Sequence, residues 1–262
     1  MTEKRKVQAV IASQECLTDQ IYSMWLQFPT DYNVAAMAVP GQFISMYCSD
    51  GSRLLPRPIS ICERNPEEAK LRVVYRVAGA GTEEFSKMQA GSQIEVIGPL
   101  GNGFNRRQGK AILIGGGIGI PPMLELAKTL KQEGVEVQAV LGYRDADLFL
   151  KREFDTYAQT FVSTEDGSAG TKGNVIDAIR AESITGDVIY ACGPMPMLRG
   201  VRDYAAEQHI EAQISLEERM ACGIGACLAC VCNSKEKDAH SNVHNKRICK
   251  DGPVFDAGEI DF

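Results

Sequence analysis

The 262-residue sequence is poor in the residues on which hydrolytic enzymes and nucleic-acid-binding proteins rely. It has three histidines and one tryptophan, and its 28 lysines and arginines are outnumbered by 34 aspartates and glutamates. A net charge of −6 gives no general attraction to a phosphate backbone, which argues against nucleic acid as a partner. With no convincing Ser/His/Asp arrangement or carboxylate pair, hydrolytic catalysis has little support, and we assign no catalytic residue.

Long apolar runs are also missing. No run of about 18 apolar residues is present, so we expect no membrane-spanning helix and no membrane partner. The charged residues 1–6 lead into residues 7–11, a segment too short and too polar for the apolar core of a secretory signal. We therefore expect a cytoplasmic protein, and the 44% hydrophobic and 24% charged composition is typical of a globular one.

Cysteine, by contrast, is abundant. The chain has nine, an odd number that does not pair into a disulfide framework. In a reducing compartment the clustering of cysteines indicates metal binding more often than disulfides. The clustered residues, all in the C-terminal part of the chain, are Cys222, Cys227, Cys230, Cys232 and Cys249. Cys16, Cys48 and Cys62 lie in strand-like segments, and we expect them in the core.

Four of the clustered cysteines have the spacing C-x4-C-x2-C followed by a distant fourth, which is typical of a plant-type [2Fe–2S] cluster. The predicted ligands are Cys222, Cys227, Cys230 and Cys249. Gly223 and Gly225 let the backbone curl round a cluster. A structural zinc site that recruits His240 and His244 is the alternative, although a second knuckle pair is missing. Cys232 breaks the spacing.

The chain changes its rhythm near residue 104. Short β-rich segments up to about Pro99 predict a small antiparallel barrel or sandwich, with one helix starting near Thr82. Alternating strands and helices follow, as in a doubly wound parallel α/β sheet. We therefore predict a multidomain α+β and α/β protein with domains at 1–103, 104–215 and 216–262.

A glycine-rich segment follows the apolar run 111–114 and precedes a predicted helix over 121–131. Glycines at 115, 116, 117 and 119 would let a dinucleotide pyrophosphate approach the backbone, and a helix start favours an anion. Pro121 stands where the third glycine of G-x-G-x-x-G would be. A tight turn without a ligand is the alternative.

Weaker signals lie elsewhere. Arg57-Pro58-Ile59-Ser60, Tyr75-Arg76 and Gly81-Thr82 place two guanidinium groups and a helix start in one barrel, a plausible seat for a pyrophosphate. A solvated strand face explains them equally well. Cys192-Gly193-Pro194 ends a predicted parallel strand, where α/β sheets bind ligands, although a buried cysteine before a turn is the simpler interpretation.

The order of these motifs, with Gly98-Pro99-Leu100-Gly101, resembles the ferredoxin–NADP⁺ reductase superfamily over residues 5–215. The tail, residues 218–227 closed by residues 249–255, looks like that of the electron-transfer subunits of class 1B dihydroorotate dehydrogenases. This resemblance implies an FAD-binding barrel, an NAD-binding α/β domain and a small C-terminal [2Fe–2S] domain. The implied FAD contacts are Arg57, Pro58, Ile59, Ser60, Val74, Tyr75, Arg76, Gly81 and Thr82. The implied NAD contacts are Gly115, Gly116, Gly117, Ile118, Gly119, Cys192 and Gly193.

The resemblance also implies a function in pyrimidine biosynthesis. An FMN-containing partner subunit would oxidise dihydroorotate, and electrons would pass singly through the cluster to FAD and then as hydride to NAD⁺, in a two-plus-two heterotetramer. A self-sufficient NAD(P)H reductase, a diaphorase-type subunit of another oxidoreductase and a non-catalytic iron–sulfur module are the alternatives. Two aspartates beside Arg144, Asp145 and Asp147, favour NAD over NADP.

Overall fold

The computed structural model describes residues 5–237 and 242–261. Within residues 5–104, six antiparallel strands close into a barrel in the order β1-β2-β5-β4-β3-β6. They are β1 (Lys6–Thr18), β2 (Ile21–Gln27), β3 (Phe43–Met46), β4 (Arg57–Asn65), β5 (Lys70–Arg76) and β6 (Gln93–Leu100), with helices α1 (Val34–Met37) and α2 (Ala80–Ser86) between strands. The predicted barrel is confirmed, and its α2 starts two residues before the expected Thr82.

Alternation of side chains builds the barrel. In β6, Ile94 and Val96 are buried while Gln93 is exposed and Glu95 half-buried, and the inward residues join Met24, Ile44 and their neighbours in one apolar core. Because successive strand residues point to opposite faces, every second residue of each strand is left for the outer surface. The outer face of the barrel is therefore where the remaining domains and any cofactor must make contact.

The second unit is a doubly wound sheet, which confirms the predicted α/β fold. Among the described residues its seven strands have the order β10-β9-β8-β7-β11-β12-β15. Its elements up to residue 215 are β7 (Ala111–Gly116), α3 (Pro121–Gln132), β8 (Val137–Tyr143), α4 (Lys151–Phe154), β9 (Gln159–Thr164), β10 (Thr171–Lys172), α5 (Val175–Ala181), β11 (Val188–Cys192), α6 (Met195–Gln208) and β12 (Glu211–Ser215). The winding reverses between β7 and β11, and open sheets bind ligands at such a reversal.

The C-terminal segment returns to both earlier units. It contains β13 (Val231–Asn233), β14 (Asn245–Arg247), α7 (Ile248–Asp251) and β15 (Val254–Asp256). Strand β15 pairs antiparallel with β12, and the N–H of Asn102 at the end of the barrel donates to Gly252 O over 2.6 Å. The segment is therefore held between barrel and sheet, and the boundaries 1–103, 104–215 and 216–262 stay a prediction.

Charged side chains join the barrel to the α/β unit. Arg72 on β5 is buried, and it donates to Glu63 over 2.7 Å and also to Glu153 of α4. Arg64 on β4 donates to Glu125 of α3 over 2.9 Å. Burial raises the pKa of Glu125 although Arg64 opposes it, so the carboxylate is held at some cost in desolvation. These pairs fix α3 against the barrel.

The expected core position of three cysteines is right only for Cys62, which is buried. Cys48 is half-buried, and Cys16 is exposed. The expectation for Cys16 is wrong because β1 shifts register between Ile11 and Ser13 and runs on beyond the barrel core. Across the described parts of the chain, no helix combines the length and the apolar character needed to cross a membrane.

Candidate functional site

The four cysteines with cluster spacing form two pairs. Cys222 and Cys227 bring their Sγ atoms within 3.3 Å, and the N–H of Cys227 points at Cys222 Sγ over 3.4 Å. In the second pair the N–H of Cys249 donates to Cys230 Sγ over 3.4 Å, and both residues are buried. The pairs lie near each other, because Cys222 and the N–H of Gly225 both affect the Cys249 thiol.

The electrostatics of the first pair favour a thiolate. Burial by itself raises the pKa of Cys222, but the N–H groups of Ile224, Cys227 and Ala226 outweigh it and lower the pKa to about 6. In the second pair, burial and the neighbouring Cys230 raise the pKa of Cys249 to about 12. Metal ligation removes such a proton, since iron binds the thiolate form.

Two pairs of thiols suit a two-iron cluster, in which each iron has two protein ligands. Among the described residues no three His, Cys, Asp or Glu side chains converge to hold a single metal ion. His240, which the zinc alternative requires, lies outside the described residues. The ring of His244 instead faces the carbonyl oxygens of Ser234 and Lys235, at 3.3 and 3.0 Å from Nδ1.

Cys232 stands apart from this set. Its Sγ lies 3.6 Å from the carbonyl oxygen of Lys246, across the β13–β14 ribbon, and burial raises its pKa to about 11. It is a thiol in a neutral, partly buried position. The structure therefore groups the four predicted ligands and leaves the fifth clustered cysteine as a control position.

The loop that carries the first pair needs its glycines. Gly223 has φ +68° and Gly225 has φ +84°, in the left-handed region that favours glycine. A Cβ at 225 would lie 2.7 Å from the side chain of Lys250, and one at 223 would lie 2.7 Å from Ser45 Oγ on the barrel. The loop is thus pressed against both α7 and the barrel.

On the barrel, Arg57 lies directly over Gly81, where a Cβ atom would overlap the guanidinium Nε. This contact brings the β4 motif to the start of α2, as the resemblance implied. Thr82 Oγ1 accepts from the N–H groups of Ala78 and Gly79 and donates to Gly79 O, so it closes this turn. Its hydroxyl is engaged locally, and a ligand would meet the loop backbone.

Strand alternation separates the three neighbouring residues implied in flavin binding. Val74 packs into the core beneath α3, and Arg76 is exposed towards the glycine loop. Tyr75 is buried inside the barrel, where its hydroxyl donates to Gln14 Oε1 over 3.1 Å and its ring stacks on Tyr22. The Tyr75 ring therefore faces away from any flavin on the outer surface, and only its backbone is available there.

A cavity of about 630 Å³ opens at the carboxyl ends of β7, β8 and β9. Gly116, Gly117 and Gly142 line its floor, and a Cβ at 116 would lie 2.5 Å from Met197 Sδ. A Cβ at Gly119 would overlap the carbonyl oxygen of Cys192, so the glycine segment and Cys192-Gly193 meet. The helix start differs from expectation because α3 begins with two prolines, which supply no N–H.

Several cavity residues were not found from the sequence. Ser163 is buried, and its Oγ has no hydrogen-bond partner among the described residues although it lines the cavity. Asp145 and Asp147 line it too, and burial, then Asp145 and Asp19, raise the pKa of Asp147. The signal available was their position just after or at the end of predicted strands. Residues 18–21 and Arg76 close the cavity from the barrel.

A barrel and a doubly wound domain that share one nucleotide-sized cavity, followed by a four-thiol loop, define an iron–sulfur oxidoreductase with a ferredoxin-reductase fold. Comparison with known proteins narrows this class. Residues 217–261 match the model of the iron-sulfur cluster binding domain of dihydroorotate dehydrogenase B, and residues 113–203 match the oxidoreductase NAD-binding domain. The chain belongs to the family of electron transfer subunits of dihydroorotate dehydrogenase B (NAD⁺), which confirms the resemblance noted in the sequence.

The relatives are similar over nearly their whole length. The subunit of Geobacillus kaustophilus is 42% identical over 95% of this chain and 96% of its own, and that of Streptococcus mutans is 42% identical over 97% and 98%. The solved NADH-dependent reduced ferredoxin-NADP oxidoreductase is 29% identical with a TM-score of 0.86, covering 100% of this chain and 91% of its own. A flavohemoglobin of Malassezia yamatoensis, at 19% identity and a TM-score of 0.66 over 80% of this chain and 60% of its own, shares the fold.

Proposed function

We propose that this chain takes electrons from a separate FMN-containing subunit that oxidises dihydroorotate, and delivers them through a [2Fe–2S] cluster and FAD to NAD⁺. The overall reaction balances as dihydroorotate plus NAD⁺ giving orotate, NADH and a proton, a step in pyrimidine biosynthesis. The observation that carries this proposal is the arrangement of the four thiols in two pairs, beside a barrel and a nucleotide cavity. The reduced thiols that the cluster needs fit a cytoplasmic location.

The proposed cofactors divide the work. When bound, the cluster passes single electrons, FAD collects two, and NAD⁺ takes both with a proton as hydride. In this assignment Cys222 and Cys227 hold one iron, and Cys230 and Cys249 hold the other. The N–H groups of Ile224 and Ala226 stabilise negative sulfur in the first pair.

We assign the outer face of β4 and the α2 turn to FAD. Register places Pro58 opposite Ser45 and Ser60 opposite Phe43. Arg57 offers its guanidinium to the flavin phosphates beside the Gly81 backbone. Ile59, Val74, Tyr75 and Thr82 support this seat through backbone and packing rather than through polar side chains.

We assign the cavity to NAD. Residues 115–119, with Cys192 and Gly193, would hold the pyrophosphate and nicotinamide, and the unpartnered Ser163 hydroxyl would bind the adenosine part. Arg76, which reaches towards Gly117 from the barrel, joins the two cofactor seats. Asp145 and Asp147 would repel the 2′-phosphate of NADP, so we assign NAD as the acceptor. We retain the domain boundaries 1–103, 104–215 and 216–262.

The proposal is tested first on the anaerobically purified protein. We expect flavin absorption bands with a broad red shoulder, both bleaching on addition of NADH and much less rapidly with NADPH. Co-purified with its catalytic partner, the protein should reduce NAD⁺ with dihydroorotate. A flavin spectrum without the shoulder, together with zinc by metal analysis, would leave a plain flavin reductase. A colourless protein would exclude the relay.

The cluster loop also carries the surface that we assign to the catalytic subunit. Ile224 and Leu228 are large apolar residues with exposed fractions of 49% and 69%, on the same loop as Cys222 and Cys227. Apolar residues of this size at the centre of an interface contribute strongly to association. Electrons entering at this loop would reach the cluster over a short path. We propose a two-plus-two heterotetramer assembled through this surface.

Leu228→Glu should abolish stable assembly with the catalytic subunit, because the new carboxylate would be buried without a partner in the interface. Light scattering during size-exclusion chromatography should give a two-plus-two mass for the wild type and separate subunits for the variant. Val10→Glu is the matched control, since Val10 is an exposed apolar residue on β1 of the barrel. Assembly of Leu228→Glu at wild-type strength would contradict the assignment.

A further inference from the structure

One buried hydroxyl lies between the cluster loop and the barrel. Ser45, on β3, is 1% exposed, and its Oγ has no hydrogen-bond partner among the described residues. A buried hydroxyl without a partner is unfavourable, so such a group in a folded protein normally serves something that binds beside it.

The pleat of β3 determines which way Ser45 points. Its neighbours Ile44 and Met46 belong to the apolar core inside the barrel. Successive strand residues alternate, so Ser45 points outward with Phe43, which packs in the same cluster as Cys230 and Cys249. The hydroxyl therefore faces the cysteine-rich segment.

The two contacts of Ser45 lie on opposite sides of a junction. A Cβ at Gly223, the residue after Cys222, would be 2.7 Å from Ser45 Oγ. On the adjacent strand Ser45 is paired with Pro58, within the motif assigned to FAD. Ser45 is thus next to the first cluster ligand in one direction and next to the flavin strand in the other.

We propose that Ser45 is a positioning residue for electron transfer: its hydroxyl donates a hydrogen bond to sulfur at the Cys222 side of the bound cluster, and this junction is where each electron crosses to the flavin. The inference deepens the proposed function and rests on it. The proton stays on Ser45 Oγ throughout, and one electron crosses in each step without a bond being formed or broken.

The physical effect concerns the charge of the cluster. A hydrogen bond to sulfur is stronger when the cluster carries the extra negative charge of its reduced form. Removing the donor therefore makes reduction of the cluster less favourable. Hydrogen bonds to charged groups are strong enough that we expect the reduced-to-oxidised ratio of the cluster to fall about tenfold at fixed conditions.

The test compares Ser45→Ala with the wild type in the complex with the catalytic subunit. Each complex is poised at fixed ratios of NADH to NAD⁺, with reduced cluster measured by low-temperature electron paramagnetic resonance and flavin by absorbance. We expect the cluster ratio of Ser45→Ala to fall about tenfold at an unchanged flavin ratio. An unchanged cluster ratio would overturn the inference.

Thr129→Val is the matched control. Thr129 on α3 also has a buried hydroxyl without a partner among the described residues, but it lies on the helix that packs against β4, away from the thiol pairs. The isosteric valine should leave the cluster ratio at the wild-type value. A fall as large as that of Ser45→Ala would show a general packing effect and overturn the inference.

Retention of the cluster is measured separately as iron per protein. If Ser45→Ala loses iron, Ser45→Cys, which keeps the shape and a weak S–H donor, decides the matter. Iron retained with a cluster ratio between those of wild type and a tenfold fall supports the inference, whereas loss of iron from both overturns it. A wild-type complex without a cluster signal would instead refute the proposed function.

Discussion

Cys222→Ala is expected to eliminate dihydroorotate-driven reduction of NAD⁺ while NADH-driven reduction of an artificial dye continues. The substitution leaves one iron with Cys227 as its only thiolate from the first pair, and alanine cannot ligate metal. Loss of a residue that merely orients a ligand costs about 10- to 100-fold in metal affinity, so loss of a ligand should cost more. Hydride transfer between NADH and FAD involves no thiol of this loop.

The measurement is iron content together with both activities in the purified complex. Cys232→Ala is the matched control, because Cys232 lies in the same segment but contacts the carbonyl oxygen of Lys246 rather than the other thiols. It should keep its iron and both activities. Full iron content in Cys222→Ala, or loss of iron in Cys232→Ala, would show that the four-ligand assignment is wrong.

Gly81→Ala is expected to release most of the flavin. The added Cβ would overlap Nε of Arg57, so the guanidinium must leave the α2 turn. Hydrogen bonds from charged donors are worth about 1.5–3 kcal/mol each, so displacing Arg57 from the flavin phosphates should weaken FAD binding about 10- to 100-fold. Flavin per protein after dialysis, followed by titration with FAD, measures this loss.

Gly79→Ala provides the control in the same loop. Gly79 has an extended backbone, with φ at 177°, and a Cβ there would have nothing within 4 Å. This variant should bind FAD as the wild type does, and Arg57→Ala should reproduce the effect of Gly81→Ala. Equal flavin content in Gly81→Ala and Gly79→Ala would contradict a role for the Arg57 contact.

The residues that could be found from the sequence are those whose signal is local. The C-x4-C-x2-C spacing lies within nine residues, and the glycine segment directly follows an apolar strand. Helix α6 (Met195–Gln208) likewise has the predicted bounds, because periodicity and an N-terminal proline are properties of neighbouring residues. Order along the chain was enough to indicate the reductase family.

By itself, then, the sequence determined the fold class, the family and the four thiols, since all depend on spacing and periodicity. The tertiary structure alone decided what depends on strand register and on contacts between distant segments. Register turned Tyr75 into the barrel and Ser45 out towards Gly223, and packing brought Arg57 over Gly81. A shift of one residue along a strand reverses which face a side chain occupies, and no local pattern encodes which partner strand it meets.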